Sequence, residues 1–289
     1  MSGTTAFVLA GGGSLGAVQV GMLKALTRNN IVPDLVVGAS VGAINATYFA
    51  AAPSSEGVRQ LERTWLRLRS ADVFPLSPVK SLLAILGKRD HLISSARLRA
   101  LIESELPCER IERTKLPCYV VATDVLAGTE VCLSSGPVAP ALLASAAIPA
   151  VFPGVSIEGR HLIDGGVANN TPISSAVKLG ASRIIVLATG ISCALERPPQ
   201  GVVALALHAV NLLVMRQLVS DIEHFSNRAE IVVLPPLCPV SVSSYDFSQT
   251  ADLVRRAEAK TRLWLQKKGL QSAGAPEELL PHEHGLETH

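Results

Sequence analysis

Ser40 stands in Gly38-Ala39-Ser40-Val41-Gly42, the spacing G-x-S-x-G. An apolar run, Leu35 to Val37, precedes it, and an apolar helical stretch, Val41 to Ala52, follows and ends at Pro53. A strand that turns sharply into a helix at a serine presents the hydroxyl above a sheet, and small flanking residues relieve the clash. That is the setting of a nucleophile, although a Ser/Gly-rich turn without chemistry has the same composition. A second glycine-rich elbow, Gly11-Gly12-Gly13-Ser14-Leu15-Gly16, joins the apolar run Thr5 to Ala10 to a helical pattern over Leu15 to Arg28. Free N–H groups at such a helix start face an anion, either a pyrophosphate or a reaction oxyanion. The same loop fits the dinucleotide fingerprint G-x-G-x-x-G. That reading needs an acidic residue at the end of the next strand. Asp34 lies at about the right distance but precedes that strand, which ends at Gly38.

A serine nucleophile needs a base. The seven histidines are at 91, 161, 208, 224, 282, 284 and 289. The last three fall in the tail, and none carries the loop signature of a triad histidine. Asp164 ends a short apolar run and is followed by Gly165-Gly166, which let the backbone swing away from the carboxylate. An aspartate within reach of a serine can take its proton directly. Its reference pKa of about 3.9 makes it a weak base in water, and burial raises that basicity. Taken alone, Asp-Gly-Gly is equally a plain turn.

Strand and helix patterns alternate around these residues. Short strands are expected at Cys118 to Thr123, Glu130 to Leu133, His161 to Ile163, Arg183 to Thr189 and Ile231 to Leu234. Helices are expected at Ala139 to Ala147, from Pro172 with Thr171 as N-cap to Gly180, and at Ala251 to Leu265. Such alternation predicts a parallel sheet covered by helices. Residues 57–106 differ. They carry two helical stretches, Val58 to Arg69 and Ala96 to Leu106 with Ser95 as N-cap, around a Pro-broken middle. They read as an insertion or cap over one end of the sheet, whose apolar run Leu82 to Leu86 either packs on the domain or lines a substrate channel. One domain over residues 5–270 is expected, with a mobile tail over 271–289.

Composition narrows the class. With 48% hydrophobic and 17% charged residues among 289, the chain is no solvated coil. Only 4% are aromatic, so the core is aliphatic. A net charge of +2 gives no nucleic-acid signature. Cysteines 108, 118, 132, 193 and 238 form no C-x-x-C and no zinc spacing, and read as reduced thiols of a cytoplasmic protein. Met1 to Leu23 holds no Lys or Arg and is cut by the glycines, unlike an export signal. The apolar stretch Gly201 to Met215 is short of the ~20 residues of a membrane span. It reads as a buried core helix, or else as a face that docks on lipid. Asn45-Ala46-Thr47 and Asn169-Asn170-Thr171 match the glycosylation pattern, which is empty without secretion.

With the two elbows and the Asp-Gly-Gly in this order, the chain resembles the patatin-like phospholipases, above all their compact bacterial members. The resemblance runs from about residue 5 to residue 265. Gly11-Gly12-Gly13-Ser14-Leu15-Gly16 matches the family's oxyanion loop, Gly38-Ala39-Ser40-Val41-Gly42 its nucleophile elbow and Asp164-Gly165-Gly166 its aspartate motif. Asn170-Thr171-Pro172 also resembles the family. The pattern Ala-Ser-x-x-Pro is met at Ala144-Ser145 with one residue too many before Pro149, and in register only with Ala146 at the serine position, which gives Ser145 no assigned role. Leu15 replaces the Arg or Lys of many relatives, which weakens the case for a phosphate-headed substrate. The resemblance implies a three-layer α/β/α sandwich with a mainly parallel sheet. It implies a lipid acyl hydrolase in which Ser40 attacks the ester, Asp164 takes the proton and Gly11, Gly12 and Gly13 form the oxyanion hole. Gly16, Gly38, Gly42, Gly165 and Gly166 support the motifs, and no metal or cofactor is called for. The partners it implies are a lipid or fatty-acyl ester and transient contact with a membrane surface. An acyltransferase or thioesterase using the same serine, usually with a histidine partner, is the alternative, and a nucleotide-binding oxidoreductase is a third.

Overall fold

A computed structural model describes residues 3–74, 91–190, 200–276 and 279. The Pro-broken middle of the insertion beyond Phe74, including Leu82 to Leu86, lies outside the described residues, as do Cys193 and the last three histidines.

Among the described residues, eight strands form one sheet: Thr5–Leu9 (β1), Leu35–Ala39 (β2), Cys118–Asp124 (β3), Thr129–Leu133 (β4), Val155–Ile157 (β5), Arg160–Asp164 (β6), Arg183–Leu187 (β7) and Glu230–Val233 (β8). Their order is β5-β6-β3-β2-β1-β7-β8, with β4 also paired to β3. The five strands β3-β2-β1-β7-β8 are parallel; β4 and β6 pair antiparallel with β3, and β5 pairs antiparallel with β6. In chain order the helices are Gly16–Arg28 (α1), Val41–Ala51 (α2), Ser55–Arg67 (α3), Ser70–Val73 (α4), Ala96–Glu105 (α5), Val138–Ser145 (α6), Gly166–Asn169 (α7), Ile173–Lys178 (α8), Val202–Phe225 (α9) and Thr250–Gln266 (α10).

Strand alternation sorts the core into two layers. Phe7, Leu9 and Val36 pack with Leu23, Phe49 and Val254 from α1, α2 and α10. Ala6, Val8, Val37 and Ala39 face the other way, toward Ile173 of α8 and Leu218 and Ile222 of α9. Helices thus cover both faces, giving the expected three-layer sandwich.

One topological detail sets the site. Val120 and Val121 pair with β4 and also with β2, so those two strands lie on opposite edges of β3. Ala122 to Asp124 pair with β4 and with β6. Strands β2 and β6 therefore share one edge of β3 and meet end to end there. The first stops at Ala39 opposite Val121, and the second, running the other way, stops at Asp164 opposite Ala122.

Four local expectations are corrected. Helix α8 begins one residue later than its Thr-Pro signal, with Pro172 at the cap and the Ile173 N–H donating to the Thr171 carbonyl at 2.6 Å. Ser95 makes no side-chain cap bond at α5. Its neighbour Ser94 accepts from the Ala96 N–H at 3.4 Å instead. The tail does not leave the sheet at once: the Gly274 N–H donates to the Ile231 carbonyl at 3.0 Å, and Leu279 is buried. The described side chains of the Gly201 to Met215 stretch do not form the buried face expected of a core helix. Leu205, Val210, Leu212 and Leu213 are exposed, and α9 packs on the sheet through Leu218 and Ile222 further along.

Candidate active site

The turn after β2 is forced into an unusual backbone. Ser40 has φ 53° and ψ −128°, a left-handed value that a non-glycine residue holds only under strain of about 1–3 kcal/mol. Its neighbours permit it. A Cβ on Gly42 would lie 2.2 Å from the Leu9 carbonyl oxygen, and one on Gly38 would lie 2.5 Å from the Gly42 carbonyl oxygen. Only glycine lets α2 begin this close to the end of β1.

The buried Ser40 hydroxyl donates to Asp164 Oδ2 at 2.7 Å. The other carboxylate oxygen, Oδ1, accepts from the Gly166 N–H at 2.7 Å. Burial pushes the Asp164 carboxyl up to about 6, against the lowering effect of those two hydrogen bonds. Removal from water disfavours the charged form by more than two donors restore. The result is a carboxylate basic enough to share a serine proton near neutral pH. Gly165 sits where a Cβ would be 2.1 Å from the Val121 carbonyl oxygen, and one on Gly166 would crowd Asn170 Oδ1 at 2.7 Å.

The first glycine elbow faces this pair. Among the described residues, the N–H groups of Gly12 and Gly13 have no acceptor in the protein, and both residues line a cavity with Ser40 and Asp164. Gly13 has φ +58°. Gly11 does not serve as expected: its N–H is spent on the Asn170 carbonyl at 3.0 Å. Its requirement for glycine is steric, since a Cβ would approach Asn170 Oδ1 to 2.4 Å and Ser40 Cβ to 3.2 Å. Gly16 lets α1 pass close to Val41 and Trp65. Leu15 is fully buried, so it projects no group toward the cavity mouth.

Two cavities meet at Ser40. One is almost wholly apolar and runs between α2, α3 and α5, lined by Val41, Ile44, Leu61, Trp65, Leu98 and Ile102 among others. The second is more open and polar, with Asp164, Asn170, Ser244 and Tyr245 in its wall beside Val167 and Val210. Among the described residues no histidine lines either one. The helices that flank the undescribed middle of the insertion therefore wall a chamber at the serine.

The dinucleotide reading fails on placement. Asp34 Oδ2 accepts the Thr5 N–H at 2.7 Å, at the opposite end of the strands from the glycine loop. The loop itself is covered by residues 243–244: the Ser14 N–H donates to the Ser244 carbonyl at 2.7 Å, and the Ser14 hydroxyl to the Ser243 carbonyl at 3.0 Å.

Three residues at the site carried no role from the sequence. Ser145 is fully buried; its hydroxyl accepts the Ser40 N–H at 2.9 Å and donates to the Val121 carbonyl at 2.6 Å. Asn45, also fully buried, accepts the Trp65 indole N–H at 2.9 Å and donates to the Gly16 carbonyl at 3.0 Å and to Gln19 Oε1 at 2.8 Å. The Gln19 side-chain amide in turn donates to the carbonyls of Ala10 and Leu187. The family pattern around Ser145 carries one residue too many before Pro149, which leaves no motif at that serine. Asn45 and Gln19 sit inside helical stretches where polar residues give no motif. Asn45 and Asn169 are both buried, so neither glycosylation pattern is presented to solvent.

Comparison with known proteins places these features. A family model described as Patatin-like phospholipase matches residues 7–177. The Patatin-like phospholipase domain-containing protein 7 of Rattus norvegicus is 29% identical over 187 residues, which is 64% of this chain and 13% of that protein. An uncharacterized NTE family protein of Mycobacterium bovis is 30% identical over 186 residues, 63% of this chain and 48% of its own. Human GIVD cytosolic phospholipase A2, solved with methyl gamma-linolenyl fluorophosphonate, aligns over 93% of this chain and 58% of that chain, at 13% identity and a TM-score of 0.49. The chain thus spans a small part of the mammalian relative and about half of the mycobacterial one.

Proposed function

Because this chain belongs to the patatin-like phospholipase family, we propose that it is a lipid acyl hydrolase, a serine hydrolase of carboxylic esters working through a Ser40–Asp164 dyad. The observation that carries the reading is the 2.7 Å hydrogen bond from the Ser40 hydroxyl to a buried carboxylate whose basicity is raised. Ser40 Oγ attacks the ester carbonyl as its proton passes to Asp164 Oδ2. The tetrahedral oxyanion forms beside the unpaired N–H groups of Gly12 and Gly13, and loss of one such donor typically costs about 10²–10³ in rate. The protonated Asp164 then gives its proton to the leaving alcohol. Water, deprotonated by the same carboxylate, releases the acyl group from Ser40. Phospholipids and simpler lipid esters both belong to the proposed substrate class. The transferase and thioesterase alternatives usually employ a histidine, and the described cavity walls offer none.

The reading extends to where the substrate is met. Val167, Val210 and Tyr245 line the open cavity and are themselves exposed, and the helix that carries Val210, α9, also exposes Leu205, Leu212 and Leu213. An apolar rim of this kind suits transient contact with a lipid surface. No helix of the described residues is long and apolar enough to cross a membrane.

The test is labelling by an alkyl fluorophosphonate together with turnover of medium-chain esters. Wild type labels and turns over; Ser40→Ala does neither, and Asp164→Asn loses turnover. Equal labelling and turnover by wild type and Ser40→Ala removes the assignment.

A further inference from the structure

The apolar cavity has a direction. Val41, Ile44 and Tyr48 all line it and fall on one face of α2, one turn apart. Ser40 caps the N-terminus of that helix, so the cavity follows the helix away from the nucleophile. At 1.5 Å per residue, Tyr48 lies roughly 12 Å along the axis from Ser40. Between them the walls are hydrocarbon: Leu61 and Trp65 from α3, Leu98 and Ile102 from α5.

At the level of Tyr48 the lining changes. Tyr48 stands beside Thr64 in this lining. The Thr64 hydroxyl donates to Glu105 Oε2 at 2.6 Å, and Arg67 holds the same carboxylate with bonds of 2.9 and 3.1 Å. Tyr48, Thr64 and Glu105 all line the cavity. A hydrocarbon chain is welcome as far as this tier, because each buried methylene leaves water for an apolar wall. To go further it must strip water or partners from a charged carboxylate and offer nothing in return.

We propose that this slot holds the acyl chain and that the Tyr48–Thr64–Glu105 tier limits it to about eight to ten carbons, an extended chain advancing roughly 1.25 Å per tetrahedral carbon. The inference rests on the hydrolase reading and adds to it a chain-length selection built into the insertion helices.

The experiment measures kcat/KM of the full chain on a series of p-nitrophenyl esters from about four to sixteen carbons, with Ser40→Ala as the blank. Wild type gains roughly fourfold per added methylene up to the limit, the factor that corresponds to burying one CH2. Beyond it kcat/KM falls by about tenfold or more at sixteen carbons. Two variants move the limit in opposite directions. Ile44→Phe fills the slot about 6 Å from Ser40 along α2 and shortens the limit to about four to six carbons. Glu105→Leu replaces the charge with hydrocarbon and raises the ratio of long-chain to medium-chain kcat/KM. That ratio is unaffected by how much of the variant is folded. Ser40-dependent turnover with a flat profile, an optimum at sixteen carbons, or one unchanged limit in both variants overturns the slot assignment while leaving the hydrolase standing. Absence of Ser40-dependent turnover at every length overturns both.

Discussion

Ala39 and Asp164 occupy adjacent places on one edge of β3, opposite Val121 and Ala122. They belong to strands that run toward each other and stop. The residue after Ala39 is the proposed nucleophile Ser40, and the last residue of the opposing strand is Asp164, which accepts its hydrogen bond. The Ser40–Asp164 pair is therefore held by main-chain pairing to a common strand, so its spacing does not depend on long side chains finding each other.

Ser145 seals this junction. It accepts the Ser40 N–H, donates to the Val121 carbonyl, and receives the Gly165 N–H on its own carbonyl at 3.0 Å. Ser145→Ala leaves the Ser40 N–H and one Val121 lone pair unpaired in a dry interior. The expected loss is about 1–3 kcal/mol of stability. Loosening of the strained elbow should lower kcat by about tenfold with KM little changed. Urea unfolding and ester kinetics check the two effects separately; wild-type kcat in Ser145→Ala would show that the elbow needs no brace.

Asp164 predicts a pH limb. A base must be ionised, and this carboxyl is pushed up to about 6 by burial. Activity rises with pH through about 6 and is lost below it. The profile of kcat/KM against pH reads this directly. A midpoint near 4 would mean that the carboxylate keeps its ordinary basicity in the free enzyme.

The same shift predicts a stability cost of the opposite sign. A carboxyl whose folded pKa lies above its unfolded value stabilises the fold fully below about pH 4, and that contribution is lost as pH rises through about 6. At pH 7 the buried charge costs up to about 3 kcal/mol. Asp164→Asn keeps an acceptor for the Gly166 N–H and offers a donor toward Ser40. It should be inactive yet more stable at pH 7, with the gain absent at pH 4. Chemical denaturation at both pH values measures it.

The two residues that the structure pairs, Ser40 and Asp164, were legible in local patterns: a serine flanked by glycines after an apolar run, and an aspartate before two glycines. The layered fold followed from alternating apolar runs. Three things were not local. The spending of the Gly11 N–H on Asn170 depends on a loop 159 positions away. The exposure of Leu205, Val210, Leu212 and Leu213 depends on which part of α9 finds the sheet, and an apolar run looks the same in either setting. Asn45 and Gln19 look like stray polar residues in apolar helices until the third dimension supplies their partners.

That buried chain gives a further prediction. Trp65, Asn45 and Gln19 link the insertion to the Ala10 carbonyl at the start of the glycine loop. Asn45→Leu strands the indole N–H and the Gln19 carbonyl oxygen. A cost of about 2–4 kcal/mol is expected from two unpaired buried groups. Trp65→Phe removes the indole donor and leaves Asn45 Oδ1 unpaired, so it should cost less. Thermal or urea unfolding of both variants tests the order; equal losses would mean that packing of the indole, rather than the polar chain, holds the insertion in place.

Lipid contact through α9 is testable apart from chemistry. Leu205 and Leu213 are exposed and belong to no described core cluster, whereas Leu218 and Ile222 anchor the helix. Leu205→Asp combined with Leu213→Asp should therefore leave folding intact and add two charges where the apolar rim meets lipid. Sedimentation with neutral phosphatidylcholine vesicles should fall by about tenfold or more, since each charge removes apolar burial and adds a desolvation cost. Because the net charge is only +2, adding anionic lipid should raise wild-type binding little. Hydrolysis of a water-dissolved short-chain ester should stay near wild type, since neither leucine lines the apolar slot. Unchanged vesicle binding in the double variant would move the contact elsewhere on the molecule. A strong dependence on anionic lipid would replace the apolar rim with an electrostatic one.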